Sequence, residues 1–461
     1  MTWGSFLTRV LSLILVLPLI LTRLEVGEIA LWYLFSTIIA LQFVLDMGFG
    51  VTFARVIAYA FAGSDVIYHT EMLENVEQKS PNWDKMAKIV STMRGIYLRL
   101  SAIYVLLLIT FGTLAVLRPI AQVKNPTDAK IAWVIIIAVA GVSFFGSSYS
   151  NYVQGLNKIA LIRRWDSISS LATILTSFYV LLRWENLLYL VIAHQSWAVI
   201  NVIRNRYLAR HIEDGQFIKN SRAGIDRATL KELWPSTWRS GLGVLMSQGV
   251  VSLSGIIYSQ FGDTNNVAAY FLGIRLIQAI RGFSMAPFYS RLYLMAQLRA
   301  KGDTAQQLLQ AQKGMQLSYW TFVLSFIIVG LFADQLLLEI GSNAAFVGPV
   351  FWSLLGLGYF LERYGAMHIQ LYTASGIIIW HIANGVTGLI NISFLLLLFG
   401  HFDYYAIPMA YLIANAGFYS WYSASHSYRL YKLNIWQFEK LASLPAAIIL
   451  ILYIIFTAIS K

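Results

Sequence analysis

IIIWHIANGVTGLINISFLLLLFG, residues 377–400, holds no Asp, Glu, Lys or Arg in 24 positions. About 20 predominantly apolar residues suffice to cross a bilayer as a helix, so the stretch is a membrane-span candidate. Its few polar groups are not scattered. His381, Asn384, Gly388 and Asn391 recur at helical spacing and form one stripe, while the remaining faces are aliphatic. A helix with this pattern turns one narrow face toward other protein and the rest toward lipid.

Similar segments occupy most of the chain. The spans predicted are 6–22, 29–58, 96–117, 131–155, 166–183, 187–208, 236–261, 266–289, 315–334, 347–372, 377–400, 406–425 and 442–459. Composition requires something of this kind. Of the 461 residues, 58% are hydrophobic and 12% charged, against about half and about a quarter in a soluble domain. So few charges cannot solvate the surface of a chain this long. The apolar runs are continuous, without the strand-length alternation of an outer-membrane barrel, so helices are expected. The first run, after Arg9, lacks a small-residue cleavage site and is expected to be retained as a helix. With no cysteine, thiolate metal sites and thiol nucleophiles are excluded.

The net charge of +12 sits mainly in alternate loops. With the N-terminus inside, the inner loops hold Lys79, Lys85, Lys88 and Arg94; Lys158, Arg163 and Arg164; the cluster from Arg204 to Lys231; Arg291 to Lys313; and Arg429, Lys432 and Lys440. The outer segments hold only Arg23, Arg118, Lys124, Lys130, Arg183 and Lys461. Basic residues mark cytoplasmic loops, so the charge is topological and does not point to nucleic acid. The expected organisation is an N-terminal six-helix half (1–208), a cytoplasmic amphipathic linker (209–235), a C-terminal six-helix half (236–425), and an interfacial segment with an accessory helix (426–461). Amphipathic surface helices are also expected within 62–93 and 290–314. The halves share faint echoes: Trp3-Gly4-Ser5 with Trp238-Arg239-Ser240, and Leu31-Trp32-Tyr33-Leu34 with Ala269-Tyr270-Phe271-Leu272. An even number of spans separates the copies, which gives parallel repeats, a transporter trait.

Charges inside spans are costly and face the bundle interior. Asp46, Arg281, Glu362 and Arg363 each lie about 24 Å below the outer end of their span, counting 1.5 Å per residue. They therefore share one level in an apolar layer about 30 Å thick. Arg275 sits about one and a half turns above. Two readings are open for the group: a structural salt bridge, or an arginine site for an anion with acids that balance or couple it. Glu362 and Arg363 project about 100° apart and need not pair with each other. Arginine suits phosphate because its planar fork meets two oxygens at once. Further stripes are Ser147, Asn151 and Gln154, and His194, Trp197 and Asn201. They serve either helix–helix hydrogen bonding or a cavity wall for sugar hydroxyls, with Trp197 as an aromatic face. His194 and His381 are candidate proton carriers. There is no Walker motif or HExxH, so an ion gradient (H+ or Na+) is the expected drive, with Asp46, Glu362 and His381 as coupling candidates.

Gly4-Ser5-Phe6-Leu7-Thr8-Arg9, Leu17-Pro18-Leu19 and Asp46-Met47-Gly48-Phe49-Gly50 resemble the start of bacterial polysaccharide-repeat (O-antigen type) flippases, within the multidrug/oligosaccharidyl-lipid/polysaccharide exporter superfamily. Pro287-Phe288-Tyr289-Ser290-Arg291-Leu292, running into Arg299-Ala300-Lys301-Gly302-Asp303, resembles the inner end of that family's eighth helix. The resemblance implies an all-α integral membrane transporter: about 12 core helices in two parallel halves, V-shaped and alternating in access. It would sit in the bacterial cytoplasmic membrane and flip undecaprenyl-diphosphate-linked repeats outward. Implied partners are the lipid-linked oligosaccharide, membrane lipids and a downstream polysaccharide polymerase, with the chain itself a monomer and not an enzyme. The family's habit of placing basic residues near the inner surface makes Arg55 and Arg239 candidates for phosphate, whereas composition alone makes them, with Arg9 and Arg99, interfacial anchors. A thirteenth helix departs from the family count. The other classes open are an ion-coupled small-molecule exporter, which would favour an acidic cavity, and a membrane-embedded acyltransferase or polymerase, which the short outer loops disfavour.

Overall fold

A computed structural model of the chain describes residues 2–63, 80–216, 224–373 and 379–459. Every regular element among them is helical. Among the described residues, eight helical stretches are long and apolar enough to cross a membrane, or nine if the bent C-terminal pair is one span. This is a multi-pass membrane protein. Its outer surface has the chemistry of a lipid contact: Phe43, Phe111, Leu396 and Phe456 are more than half exposed, an arrangement that water would not tolerate over many such residues.

Contacts divide the chain into two compact units, Met1–Leu245 and Met246–Lys461. The first contains α1 (Thr2–Arg23), α2 (Val26–Leu45), α3 (Phe49–Phe61), α4 (Trp83–Ala121), α5 (Pro126–Gly155), α6 (Ile159–Trp184), α7 (Leu187–His211) and α8 (Arg227–Val244). The second contains α9 (Val250–Phe261), α10 (Thr264–Tyr289), α11 (Leu292–Ala300), α12 (Thr304–Glu339), α13 (Pro349–Thr373), α14 (Trp380–Phe402), α15 (Ala406–Ala414), α16 (Ser420–Tyr431), α17 (Ile435–Ala442) and α18 (Leu444–Ile459).

In the first unit α5 packs on α3, α4 and α7, and α1 lies along α6. The expected span 29–58 is broken into α2 and α3. Met47 and Gly48 adopt positive φ (48° and 74°), and the Asp46 carboxylate takes the Gly50 N–H at 3.0 Å. An Asp side chain that satisfies nearby backbone competes with helix continuation, and glycine accepts the left-handed turn without a Cβ penalty. At Gly48 a Cβ would also lie 2.5 Å from Ser240 Cβ.

Of the expected amphipathic linker 209–235, only the two ends fall among the described residues. Its first part ends α7 and turns at Glu213 and Asp214, both at positive φ; its last part opens α8. Residues 217–223, and 64–79 in the other expected surface helix, lie outside the described ones. Asp226 caps α8, accepting the Thr229 N–H at 2.9 Å and its hydroxyl at 2.6 Å. Those bonds hold its carboxyl below the usual carboxylate range. The Asp226 N–H reaches Thr92 (3.0 Å), and Ser91 and Gly224 exchange two bonds, so the start of α8 is stitched to α4. This is why the division between units falls at residue 245 and not at the expected 236: α8 packs on α2, α3 and α4.

In the second unit α13 is the hub, against α10, α12, α15, α16 and α18. Phe326 on α12 stacks on Trp352 of α13 (4.8 Å, 7°), and Tyr453 of α18 meets the same Phe326 ring edge-on. The accessory helix is thus packed against the core of this unit. Asp403 (φ 49°) turns the chain between α14 and α15. α17 and α18 form a pair bent by 60°. α10 and α13 are not among the eight apolar helices; they carry Arg275, Arg281, Glu362 and Arg363, and the charges weaken their hydropathy signal.

A Cβ at Gly356 would lie 2.3 Å from the Phe326 ring. Gly356→Val is expected to cost about 1–3 kcal/mol from overpacking, seen as a lower melting temperature in detergent. Gly400→Ala, with nothing within 4 Å, is the control that leaves it unchanged.

Candidate functional site

A cavity of about 210 Å³ opens inside the second unit. Its walls are helix faces. α10 contributes Gln278, Arg281, Met285 and Tyr289, one residue per turn; α13 contributes Tyr359, Glu362, Arg363 and Gln370; α14 contributes Trp380, Asn384, Gly388 and Asn391. Two π turns complete it. Leu245–Gly249 supplies Met246, Ser247 and Gln248, and Asn415–Tyr419 supplies Asn415 and Tyr419, joined by Tyr411 from α15. A π turn inserts one residue and re-aims the side chains around it, and such turns concentrate at functional sites.

One carboxylate organises the charge. Arg281 donates to Glu362 through Nε (3.2 Å) and Nη2 (2.9 Å). Arg363 donates to the same group through Nε (2.9 Å) and Nη2 (2.8 Å). Two forks therefore fill the four lone-pair directions of a single carboxylate. The pairing of Glu362 with its neighbour Arg363 corrects the expectation that they need not meet. Adjacent helical side chains diverge at the backbone, but both are long, and α13 is enclosed on this side, which folds them onto each other. The cluster carries one surplus positive charge. Arg363 is only 2% exposed, and its Nη1 has no hydrogen-bond acceptor among the described residues. A buried charged donor left unmade is costly and calls for a ligand or water.

Of the residues predicted from sequence, the structure gathers Arg281, Glu362, Arg363 and Asn384 around this cavity. Asn384 also returns a bond to the Trp380 carbonyl, 2.8 Å. Gly388 and Asn391 of its stripe line the wall, whereas His381 does not. Arg275 is exposed on α10, outside the lining.

Asp46 belongs to a separate cluster in the first unit, built from neutral donors. Its carboxylate accepts from Tyr97, whose hydroxyl takes the Asn151 amide at 2.7 Å. Gln154 bonds Ser150 at 3.0 Å. His194 meets Trp32 edge-on at 4.8 Å, and the Trp197 indole donates to Thr176 at 3.0 Å. Asn201 serves Arg204, which pairs with Asp166 at 2.8 Å. Arg55, Arg99 and Arg239 are exposed, and Arg239 lies 5.8 Å over Trp238. The Arg9 side chain lies outside the described ones.

Sequence reasoning missed the tyrosines and glutamines of the wall, since Gln278, Tyr359, Gln370 and Tyr411 fall at helical spacing inside spans read only for charge. It also missed His368 and Glu439, a buried pair at 3.1 Å.

The whole fold matches solved transporters. An inward-facing multidrug resistance MATE family transporter of the MOP superfamily superposes with a TM-score of 0.68 at 14% identity, covering 92% of this chain and 96% of that one. The lipid II flippase MurJ, in an inward closed conformation, gives 0.63 at 13% identity, covering 99% and 97%. The MATE multidrug transporter DinF-BH gives 0.59 at 14%, covering 94% of each. The chain thus has the fold shared by these exporters and this flippase. No family model and no curated protein sequence matches it.

Glu362→Gln leaves two guanidiniums without a counter-charge. It is expected to cost about 3–5 kcal/mol, as when one partner of a buried ion pair is removed. Arg281→Ala, which leaves the Arg363 fork in place, should cost clearly less. Equal losses of melting temperature in detergent would refute the account of Glu362 as the centre of the cluster.

Proposed function

We propose that this chain is a flippase. It moves an undecaprenyl-diphosphate-linked oligosaccharide repeat unit from the inner to the outer leaflet of the bacterial cytoplasmic membrane by alternating access, with its N-terminus cytoplasmic. The observation that carries the proposal is the surplus positive charge of the Arg281–Glu362–Arg363 cluster, with an unengaged buried donor at Arg363 Nη1 among the described residues. A phosphate or sugar carboxylate completes that site and replaces its own lost hydration.

The surrounding amides and aromatic rings, Gln278, Gln370, Asn384, Asn391, Tyr359 and Trp380, are groups that bond hydroxyls and cover sugar faces. Arg275 is a further cationic contact for the anion in the second unit; in the first unit Arg55 and Arg239 are basic groups for phosphate, and Asn151, Gln154, His194 and Trp197 are polar groups for sugar hydroxyls. The likeness to a lipid II flippase supports a lipid-linked substrate. Product would pass to a polysaccharide polymerase.

For ion coupling by H+ or Na+, Asp46 is better placed than Glu362. Glu362 has every lone pair committed to arginine, whereas Asp46 is held by neutral donors. His381 remains a candidate proton carrier outside the lining.

The same fold serves multidrug exporters, which supports a second reading, an ion-coupled small-molecule exporter. The sign of the charge separates the two, because a positive cluster repels a cationic drug.

The test is reconstitution in liposomes with a labelled polyprenyl-diphosphate oligosaccharide, following its accessibility to an external glycan-degrading enzyme. Protein-dependent movement is expected, with Arg281→Ala and Arg363→Ala each slowing it at least about tenfold, the equivalent of about 1.4 kcal/mol. Wild-type rates in both variants would refute the arginine site. Movement of a small organic ion in place of the lipid-linked sugar would establish the exporter.

A further inference from the structure

The polar residues of α10 and α13 meet in one fixed register. Arg281 pairs with Glu362 across an offset of 81 residues. At that same offset Gln278 pairs with the Tyr359 hydroxyl, and the Tyr289 hydroxyl with Gln370. The ion pair is therefore one rung of a ladder, with a neutral rung on each side. Counting 1.5 Å per residue, the Gln278 rung comes about 4.5 Å before it along the helices and the Tyr289 rung about 12 Å after it. Met285 and Ala366 stand in the longer interval and give it apolar surface.

Another part of the cavity wall has the opposite hydrogen-bonding character. On α14 the Asn384 amide nitrogen donates to the Trp380 carbonyl at 2.8 Å, and the Thr387 hydroxyl donates to the Ala383 carbonyl at 2.6 Å. On the π turn after α15 the Asn415 amide nitrogen donates to the Tyr411 carbonyl at 2.8 Å. A backbone carbonyl can only accept, which fixes how each side chain is turned. Oδ1 of Asn384, Oδ1 of Asn415 and the Thr387 oxygen are left as acceptors, and all three residues line the cavity. The arginines thus offer donors and this wall offers acceptors. A ligand that suits both carries an anionic oxygen together with hydroxyl protons. A fully ionised diphosphate has no proton to give. It also joins a hydrocarbon tail on one side, whereas neutral polar rungs flank the ion rung on both. The cavity volume of about 210 Å³ is the room of about seven waters at about 30 Å³ each. That admits one sugar ring with its substituents and excludes a whole repeat unit.

We propose that this cavity is an acidic-sugar site, which seats one carboxylate-bearing pyranose of the repeat unit, a hexuronate in its simplest form. Arg281 takes the carboxylate, because its side chain is 26% exposed against 2% for Arg363. Nε and Nη2 of Arg281 are committed to Glu362, so Nη1 makes the contact. A single contact gives attraction without orientation. Orientation comes from the hydroxyls, shared between the acceptor wall and the two glutamines. Gln278 and Gln370 are therefore specificity residues, each held by its tyrosine. The site stands on the geometry of the second unit alone; its part in transport rests on the flippase reading above.

The probes are D-glucuronate, D-glucose and inorganic pyrophosphate, added at matched ionic strength to the full-length protein in detergent and followed by saturation-transfer NMR. Glucuronate is expected to show strong ring-proton signals, glucose signals severalfold weaker, and pyrophosphate no displacement of glucuronate. Arg281→Gln removes the surplus charge and leaves the Glu362–Arg363 pair in place. It should weaken glucuronate binding at least about tenfold, as for loss of a hydrogen bond to a charged group. Gln370→Leu leaves the ion cluster untouched and should weaken binding severalfold. Equal signals from glucose, or undiminished glucuronate binding in either variant, overturns the acidic-sugar site. Displacement by pyrophosphate also overturns it and assigns the arginine to the diphosphate. In liposomes, a polyprenyl-diphosphate glycan that contains a uronate should flip severalfold faster than the same glycan with that carboxylate reduced to the alcohol. Equal rates remove the site's role in transport. Glucuronate binding with no flipping of either glycan would refute the flippase reading while leaving the site intact.

Discussion

Two guanidinium forks closing on one carboxylate are the constraint around which the second unit is built. Desolvating three charges together is costly, and the cost is offset only when the geometry is nearly complete. That requirement fixes α10 against α13 at the depth where Arg281 and Glu362 meet, and it fixes the Arg363 side chain against its own helix. The aromatic packing on the far side of α13, Phe326 on Trp352 and Tyr453 on Phe326, then has a defined surface to build upon. The cluster leaves one charge over, so the same arrangement that secures the helices creates a demand for an anion.

The fold was largely legible because membrane insertion imposes a crude rule. Every segment must be apolar over the thickness of the bilayer, and continuous runs such as 377–400 announce themselves. What the rule cannot convey is where backbone leaves the helix for local reasons. The break at Asp46–Gly48 lies inside one apolar run, and only the Asp side chain turned onto the Gly50 amide reveals it. The π turns at Leu245–Gly249 and Asn415–Tyr419 have no compositional signal at all, since an inserted residue looks like any other. For the opposite reason the described ends of the expected linker belong to α7 and α8: polar residues near a boundary read alike whether they extend a span or start a new element.

The site was legible to the extent that charge is conspicuous in an apolar background. Arg281, Glu362 and Arg363 stood out, and their common depth follows from counting residues. Their partners did not follow, because counting gives height and not azimuth, and the long side chains of neighbours can converge despite diverging Cβ atoms. Asp46 shares that computed height but belongs to the other unit, among Tyr97, Asn151 and Gly50. His368 and Glu439 escaped notice for a different reason. One is a single histidine in a helix already marked by stronger charges. The other is a glutamate in a segment whose mixed polarity suggested a membrane surface.

α13 runs from Pro349 to Thr373 with no proline in its interior and no π turn, whereas the chain from α15 to α16 is interrupted by one. The first behaves as a shaft and the second as a flexure. Glu362 and His368 are six residues apart on the shaft, about 9 Å along the axis at 1.5 Å per residue. The arginine–glutamate cluster and the buried histidine therefore ride on one unbroken axle, and a turn of α13 carries both together.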